Sequence, residues 1–106
     1  AQIETIKQLH AFLLEHFSEH YTIDELSERF DISPTVMKKC FHGVYGDPIY
    51  AYMKKYRLQV AERLLKESRA TVGEIALQVG YQNPNKFTSA FCAEYGVPPT
   101  MYRKEV

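Results

Sequence analysis

The sequence has no tryptophan, only two cysteines and no long apolar run. The scarcity of cysteine and the lack of an apolar run limit the classes of protein to which the chain can belong. Cys40 and Cys92 stand far apart, outside any CxxC or Cys/His spacing. We therefore expect free thiols in a reducing compartment, and neither a disulfide nor a metal site. Since no run of about 18 apolar residues and no signal-like start occurs, we expect a cytoplasmic protein with no membrane in this segment.

Net charge is also absent, because 13 basic residues balance 13 acidic ones. The balance hides a segregation: residues 1–33 hold seven acidic and two basic side chains, and residues 34–106 hold six and eleven. The basic part suits an anionic partner, although chance placement of solvated charges gives the same pattern.

No nucleophile–base pair and no cluster of metal ligands is visible in the sequence, so we expect no enzyme, no catalytic residue and no cofactor. The His16/His20 pair has helical i, i+4 spacing but lacks a third ligand. We expect His10, His16 and His20 to be surface residues rather than metal ligands.

The longest periodic stretch runs from Pro48 to Ser68, where apolar residues recur at the i, i+3, i+4 and i+7 spacing of a helix. Asp47 suits its N-cap and Pro48 its first position. The apolar arc is wide, so this helix must be covered from more than one side.

Two short helices with a tight turn are predicted before the long helix. Thr22 and Glu25 have the spacing of a capping box, and Asp31 tolerates the backbone of a tight turn. Ser33-Pro34 opens the second helix, which ends at Gly46. An earlier helix, over 3–17, has one apolar face: Ile3, Ile6, Leu9, Leu13, Leu14 and Phe17.

The same signals return after the long helix. Thr71 and Glu74 form a second capping-box pattern, Gly80 is the turn residue, Asn83-Pro84 opens the next helix and Gly96 ends it. Pro98-Pro99 starts a last short helix. The apolar positions expected to face inward in the four short helices are Ile23, Leu26, Phe30, Val36, Met37, Cys40, Phe41, Val44, Val72, Ile75, Ala76, Val79, Phe87, Ala90 and Phe91.

An internal repeat relates the two pairs. The pattern Phe41-x-x-x-Tyr45-Gly46-x-Pro48-x-x-x-Tyr52 recurs 50 residues later as Phe91-x-x-x-Tyr95-Gly96-x-Pro98-x-x-x-Tyr102. We predict an all-α fold of about seven helices, with two helix-turn-helix subdomains joined by a long linker helix. Their boundaries are predicted at 1–47, 48–69 and 70–106.

A helix-turn-helix presents the outward half of its second helix to a partner. Those positions carry hydrogen-bonding side chains and lysines, which suit a polar, anionic groove: Asn pairs with adenine, and Lys reaches guanine or phosphate. A solvated helix face would carry the same residue types without function. The candidate DNA-binding residues are Ser33, Thr35, Lys38, Lys39 and His42 in the first pair, and Asn83, Asn85, Lys86, Thr88 and Ser89 in the second. Of these, Ser33 and Asn83 stand at the helix starts, where the exposed backbone amides place them for contact with phosphates.

The length of the linker helix fits a DNA partner. A helix of this length spans about 30 Å, and one turn of B-DNA is about 34 Å. Two recognition helices at that spacing would enter adjacent major-groove segments, and the site would be asymmetric because the helices differ. Further basic residues are left between phosphate contact and solubility: Lys54, Lys55, Arg63, Lys66, Arg69, Arg103 and Lys104.

The chain also resembles the AraC/XylS family of bacterial transcription regulators over about residues 5–105. The residues that carry the resemblance are Arg57-Leu58-x-x-Ala61-x-x-Leu64-Leu65 and Ile75-Ala76-x-x-x-Gly80-Tyr81-x-x-x-x-x-Phe87-x-x-x-Phe91-x-x-x-x-Gly96-x-x-Pro99-x-x-Tyr102-Arg103. The resemblance implies a seven-helix, sequence-specific DNA-binding domain from the C-terminal part of a regulator. It also implies three partners: double-stranded DNA, RNA polymerase, and a sensing or dimerisation domain elsewhere in the full-length chain.

The chain departs from that family where basic residues are common near DNA. His42-Gly43 and Cys92-Ala93 follow the two anchoring phenylalanines, and Ser89 stands where an arginine is common. We expect weaker and less salt-dependent non-specific binding. The alternative is a protein-interaction module without specific DNA binding, in which Tyr81, Phe17 or Tyr21 would form an exposed apolar patch.

Overall fold

The computed structural model describes residues 2–105, and this part of the chain folds into seven α-helices without a strand. They are α1 (Gln2–Glu15), α2 (Ile23–Phe30), α3 (Pro34–Tyr45), α4 (Ile49–Glu67), α5 (Val72–Gln78), α6 (Pro84–Tyr95) and α7 (Pro99–Glu105). The predicted all-α fold, with two helix-turn-helix pairs and a long helix between them, is confirmed. None of the seven is long and apolar enough to cross a membrane.

The local signals that start and end the short helices act as predicted. The Thr22 hydroxyl accepts from the Glu25 amide at 3.1 Å, and the Glu25 carboxylate accepts from the Thr22 amide at 2.7 Å. Thr71 and Glu74 make the same two bonds at the same distances. Asp31, with φ of 51°, takes the left-handed conformation that ends α2.

Several boundaries and faces differ from the prediction. α4 begins at Ile49, and the Tyr52 amide donates to the Pro48 carbonyl at 2.9 Å, so Pro48 rather than Asp47 takes the N-cap position. α1 ends at Glu15, two residues early. Val44 and Ile3, predicted inward, are 42% and 59% exposed, and they lie in the last turn of α3 and the first turn of α1.

Two compact units make up the chain, one ending at Lys54 and the other beginning at Lys55, so their boundary lies inside α4. The three-part division at 1–47, 48–69 and 70–106 stays a prediction. The buried apolar core of the first unit is Ile6, Leu9, Leu13, Leu26, Met37, Phe41, Ile49 and Met53. That of the second is Leu58, Ala61, Leu65, Ile75, Ala76, Val79, Phe87 and Phe91.

The internal repeat is longer than the sequence identities reveal. Three buried positions of α1 correspond to three buried positions of α4 at a constant offset of 52 residues: Ile6 to Leu58, Leu9 to Ala61, and Leu13 to Leu65. α1 therefore opens the first unit as the later part of α4 opens the second. Each unit consists of an opening helix, a helix-turn-helix pair and the start of the next helix.

Each unit holds the same cluster of three aromatic rings. In the first unit the centroid of Phe41 lies 4.9 Å from Tyr45 and 5.5 Å from Tyr52. The equivalent distances in the second, from Phe91 to Tyr95 and Tyr102, are 4.5 and 5.4 Å. The repeated aromatic residues therefore make equivalent packing contacts in both units.

The opening helix of each unit adds one polar side chain to this cluster. In the first unit, Nε2 of His10 lies 2.8 Å from the Tyr52 hydroxyl. In the second, the Tyr102 hydroxyl donates to the carboxylate of Glu62, which also pairs with Lys66 at 2.6 Å. The prediction that His10 is a surface residue is therefore wrong: it is half-buried among aromatic rings, and burial lowers its pKa.

Candidate nucleic-acid interface

The first candidate surface is the outward face of α3. Met37 and Phe41, one turn apart, are fully buried and fix which side of α3 faces the core. The opposite side therefore faces solvent, and it carries all four side chains predicted there: Thr35, Lys38, Lys39 and His42. Each is exposed, and their role in DNA contact stays a prediction.

Ser33 is the N-cap residue of the same helix. Its hydroxyl accepts a hydrogen bond from the Val36 amide at 3.3 Å, which caps α3. The residue is exposed, so the same hydroxyl can still donate its proton to an acceptor outside the protein. The cap thus holds the start of α3 in place while leaving one donor for the predicted phosphate contact.

A concavity of about 710 Å³ lies beside this face of α3. Its walls are the first residue of α2, four residues of α3, and the stretch that leads into α4. The apolar side chains on it come from α2 and α4, and the lysines come from α3. Its lining residues are Ile23, Thr35, Lys38, Lys39, His42, Pro48, Ile49 and Tyr50.

Tyr50 is the member of this concavity that sequence reasoning missed. It is the second residue of α4 and is 58% exposed, whereas its neighbour Ile49 is buried. The helical period gives the reason: successive residues point about 100° apart, so Tyr50 turns away from the face that Ile49 and Met53 bury. The sequence signal for Tyr50 was a large side chain directly after Ile49, at a position that the helical period turns towards solvent.

The second candidate surface is the outward face of α6, where Phe87 and Phe91 are the buried anchors. Asn85, Lys86 and Ser89 are exposed as predicted, and Thr88 is half-buried. The structure thus brings four predicted side chains together on one helix, with Thr88 at the edge of the face rather than on it.

Asn83 caps α6 as Ser33 caps α3. Its side-chain oxygen accepts from the Asn85 amide at 2.9 Å. The side-chain NH₂ of this exposed residue keeps two donors available for a partner. The predicted phosphate contact of Asn83 would therefore use nitrogen and not oxygen.

The two faces differ in charge at equivalent positions. With the offset of 50 residues, Lys38 and Lys39 of α3 correspond to Thr88 and Ser89 of α6. The α6 face keeps one cation, Lys86. Since each lysine can neutralise one phosphate, the α3 face offers more electrostatic attraction to DNA than the α6 face.

Two of the basic residues left between phosphate contact and solubility have other partners. Arg103 is half-buried, and its guanidinium donates to the carbonyls of Ala70 at 2.6 Å, Leu65 at 3.1 Å and Ser68 at 3.3 Å. Lys66 pairs with Glu62. Arg103 therefore holds the end of α4 and the following turn, and a phosphate is not its primary partner.

None of the three aromatic residues named for the apolar patch of a protein-interaction module belongs to the exposed residues. Tyr81, Phe17 and Tyr21 are each half-buried. The ring of Tyr81 packs edge-on against Phe87, with centroids 5.5 Å apart, and Tyr21 packs against Phe12 at 5.2 Å. Among residues 2–105, no group of three or more His, Cys, Asp or Glu side chains is placed to hold a metal ion.

The sequence of this chain is similar to a family of known proteins. A family model described as "Helix-turn-helix domain" matches residues 26–105. The HTH-type transcriptional activator RhaR of Cronobacter sakazakii is 31% identical over 94 residues, which are 89% of this chain and 30% of that protein. The chain spans about a third of the length of the curated relatives it matches.

Two solved structures extend the comparison. The DNA-binding domain of the transcriptional factor AdpA, in complex with a target DNA, superposes with a TM-score of 0.88 and 26% identity, over 94% of this chain and 90% of that one. The xylose-binding transcription activator XylR superposes with a TM-score of 0.81 and 25% identity, over 95% of this chain and 27% of that one. These matches give no support to a protein-interaction module without DNA binding.

Proposed function

We propose that this chain, which belongs to the AraC-type helix-turn-helix family, binds DNA through two separate surfaces. The family consists of DNA-binding domains of transcription regulators and not of enzymes. One is the exposed face of α3 in the first unit, and the other is the exposed face of α6 in the second. Each recognition helix lies in a major groove of double-stranded DNA, as in other helix-turn-helix proteins.

The observation that carries this proposal is the repetition of one unit with both outward faces exposed. A single helix-turn-helix reads one short half-site, and most such proteins dimerise to read two. Here one chain holds two helix-turn-helix pairs whose second helices each present three or more candidate side chains to solvent. The chain therefore supplies alone what a dimer supplies elsewhere.

The target of such a chain is an asymmetric sequence. The α3 face offers Thr35, two lysines and His42, whereas the α6 face offers Asn85, Lys86 and Ser89. Asn pairs with adenine through two hydrogen bonds, and Lys reaches the acceptors of guanine. Two blocks of different sequence, one for each helix, are expected from these different faces.

We assign α4 the role of spacer between the two surfaces. Its 19 residues span about 28 Å, close to the roughly 34 Å of one turn of B-DNA. A continuous helix is stiffer than a loop, so its length restricts which distances between blocks can be bound. This assignment keeps 48–69 as the linker element between subdomains 1–47 and 70–106.

The domain is proposed to act within a larger cytoplasmic regulator. RhaR, of which this chain covers 30%, is named an activator, and XylR is a xylose-binding activator of which this chain covers 27%. The additional length of such proteins supports a sensing or dimerisation domain elsewhere in the full-length chain. RNA polymerase is the proposed partner through which DNA binding changes transcription.

Selection of bound sequences from a random pool of DNA duplexes tests the proposal. The purified 106-residue chain is expected to enrich two different blocks whose centres are about one helical turn, roughly 10 base pairs, apart. Enrichment of a single short block would reject the two-surface proposal but keep DNA binding. Absence of any enrichment or binding at low salt would reject the proposed function itself.

A further inference from the structure

We propose that Tyr50 is a DNA-contacting residue that lies outside the recognition helix. Its ring packs on a deoxyribose and its hydroxyl donates to a phosphate of the strand that borders the groove holding α3. This inference rests on the proposed function of α3, and it adds a tyrosine ring, which none of the candidate residues of α3 and α6 supplies.

The position of Tyr50 supports the proposal. It lines the same concavity as Thr35, Lys38, Lys39 and His42, so it belongs to the surface that faces the proposed DNA. Large apolar side chains exposed within residues 2–105 are Ile3, Val44, Tyr50, Leu77 and Met101, and of these Tyr50 alone carries a hydroxyl. Its 58% exposure leaves much of the residue accessible to a partner.

The dimensions of DNA identify what meets this side chain. The major groove of B-DNA is about 12 Å wide, and a helix with its side chains is about 10–12 Å across. One helix therefore fills the groove, and any element beside it meets the sugar-phosphate ridge. Tyr50 projects from the start of α4, beside α3, so the partner of its side chain is the backbone and not a base edge.

The chemistry of the concavity suits such a ridge. A strand edge presents anionic phosphate oxygens alternating with apolar faces of deoxyribose. The α3 wall supplies Lys38 and Lys39 for the phosphates, and none of the eight lining residues is acidic. The wall from α4 supplies the apolar ring and the neutral donor of Tyr50, which together match sugar and phosphate.

The internal repeat offers a built-in control. With the offset of 50 residues, Tyr50 of α4 corresponds to Thr100 of α7, which is also exposed and also the second residue of its helix. A threonine has no ring to cover a sugar. The aromatic backbone contact is therefore a property of the first unit alone.

The test compares Tyr50→Ala, Tyr50→Phe, Thr100→Ala and Lys38→Ala by fluorescence anisotropy with the selected duplex and an unrelated duplex, across a series of salt concentrations. Tyr50→Phe should weaken binding to both duplexes about threefold, since a neutral hydrogen bond is lost, and Tyr50→Ala about fivefold, since the packing contact of the ring is lost as well. Thr100→Ala should stay within about twofold of the parent. Because tyrosine is uncharged, the salt slope should not change in either Tyr50 variant, whereas Lys38→Ala should reduce it by about 0.9.

Three results would overturn the inference, and one of them would also reject the proposed function. Unchanged affinity in both Tyr50 variants, while Lys38→Ala weakens binding, rejects the Tyr50 contact and leaves the proposed function intact. Weakening confined to the selected duplex rejects a backbone contact in favour of a base contact. Absence of binding by the parent chain rejects the proposed function. Should Tyr50→Ala lower the melting temperature, Tyr50→Phe, which keeps the ring, decides the question.

Discussion

The imidazole ring of His10 lies parallel to the ring of Tyr45, with centroids 4.0 Å apart and planes inclined by 9°. The second unit has no such stack at the equivalent place, because Glu62 takes the position of His10 and accepts a hydrogen bond from Tyr102. One position of the repeat thus holds an imidazole in the first unit and a carboxylate in the second. The two units should therefore respond to acid in different pH ranges.

Removal of His10 should make the stability of the protein less dependent on pH between neutral and mildly acidic conditions. Burial lowers the pKa of His10 below its ordinary 6.5, so in that range the unfolded chain binds a proton that the folded chain does not. Stability then falls as the pH drops below 6.5 towards the lowered folded-state pKa. Urea unfolding of His10→Phe should show a smaller decline than the parent, and an equal decline would contradict this account. His20→Gln, at an exposed position, is the control.

Glu62 should matter at lower pH. Hydrogen bonds from Lys66 and from Tyr102 lower the pKa of Glu62 below its ordinary 4.5. Its contribution to stability is therefore present above pH 4.5 and is lost as the pH falls through the lowered folded-state pKa. Glu62→Gln should reduce the slope of acid unfolding below pH 4.5, measured by circular dichroism. Glu67→Gln on the same helix, whose side chain is exposed, should leave the slope as it is.

Replacement of Arg103 by lysine should destabilise the second unit despite keeping the charge. The planar guanidinium reaches three carbonyls at the end of α4, and an ammonium group on a single stem cannot reproduce that fork. Loss of these bonds should lower the free energy of unfolding by about 2 kcal/mol. Chemical denaturation measures the change, with Lys104→Ala as the matched control on the exposed side of α7. A loss below about 0.5 kcal/mol would show that Arg103 is dispensable there.

Lys38 and Lys86 should each be needed for DNA affinity and not for stability. Both side chains are exposed on the candidate faces, so Lys38→Ala and Lys86→Ala remove a cation without opening the core. Each variant should bind more weakly, with the slope of log affinity against log salt reduced by about 0.9, and its melting temperature should stay unchanged. Lys7→Ala on α1 is the charge-matched control. A lowered melting temperature in either variant would mean that the assignment of exposed faces is wrong.

Insertion of residues into α4 tests its role as a spacer. Since each added residue turns a helix by about 100° and lengthens it by about 1.5 Å, two alanines between Lys54 and Lys55 rotate the later part of α4 by about 200°. Both units keep their own residues, so helix content should be retained while affinity for the selected duplex falls. Affinity equal to that of the parent would show that α4 does not set the spacing of the two surfaces.

Features that depend on a few neighbouring residues were predictable from the sequence. The capping boxes at Thr22 and Thr71 and the left-handed turn at Asp31 each involve only a short span of neighbouring residues, so local composition determines them. The buried anchors of α3 and α6 were predictable from helical period alone. The exposed candidate residues were found because they lie opposite those anchors.

Features that depend on distant partners were not predictable. The partner of His10 is 42 positions away, and those of Arg103 are 33 to 38 positions away. Periodicity indicates which side of a helix faces inward, but it does not indicate which side chains lie there. It therefore predicts neither the aromatic contacts of His10 nor the three carbonyl partners of Arg103. Tyr50 was missed for a related reason: its concavity is formed by three helices whose arrangement no single stretch encodes.

The boundary inside α4 means that a single continuous helix is held by two separate cores. Ile49 and Met53 belong to the core of the first unit, whereas Leu58, Ala61 and Leu65 belong to that of the second. Amide hydrogens near Met53 and near Leu65 should thus exchange with solvent through different opening events, each governed by the stability of its own unit. A step in exchange protection near Lys54, within an unbroken ladder of helical hydrogen bonds, would mark where one cooperative folding unit gives way to the next.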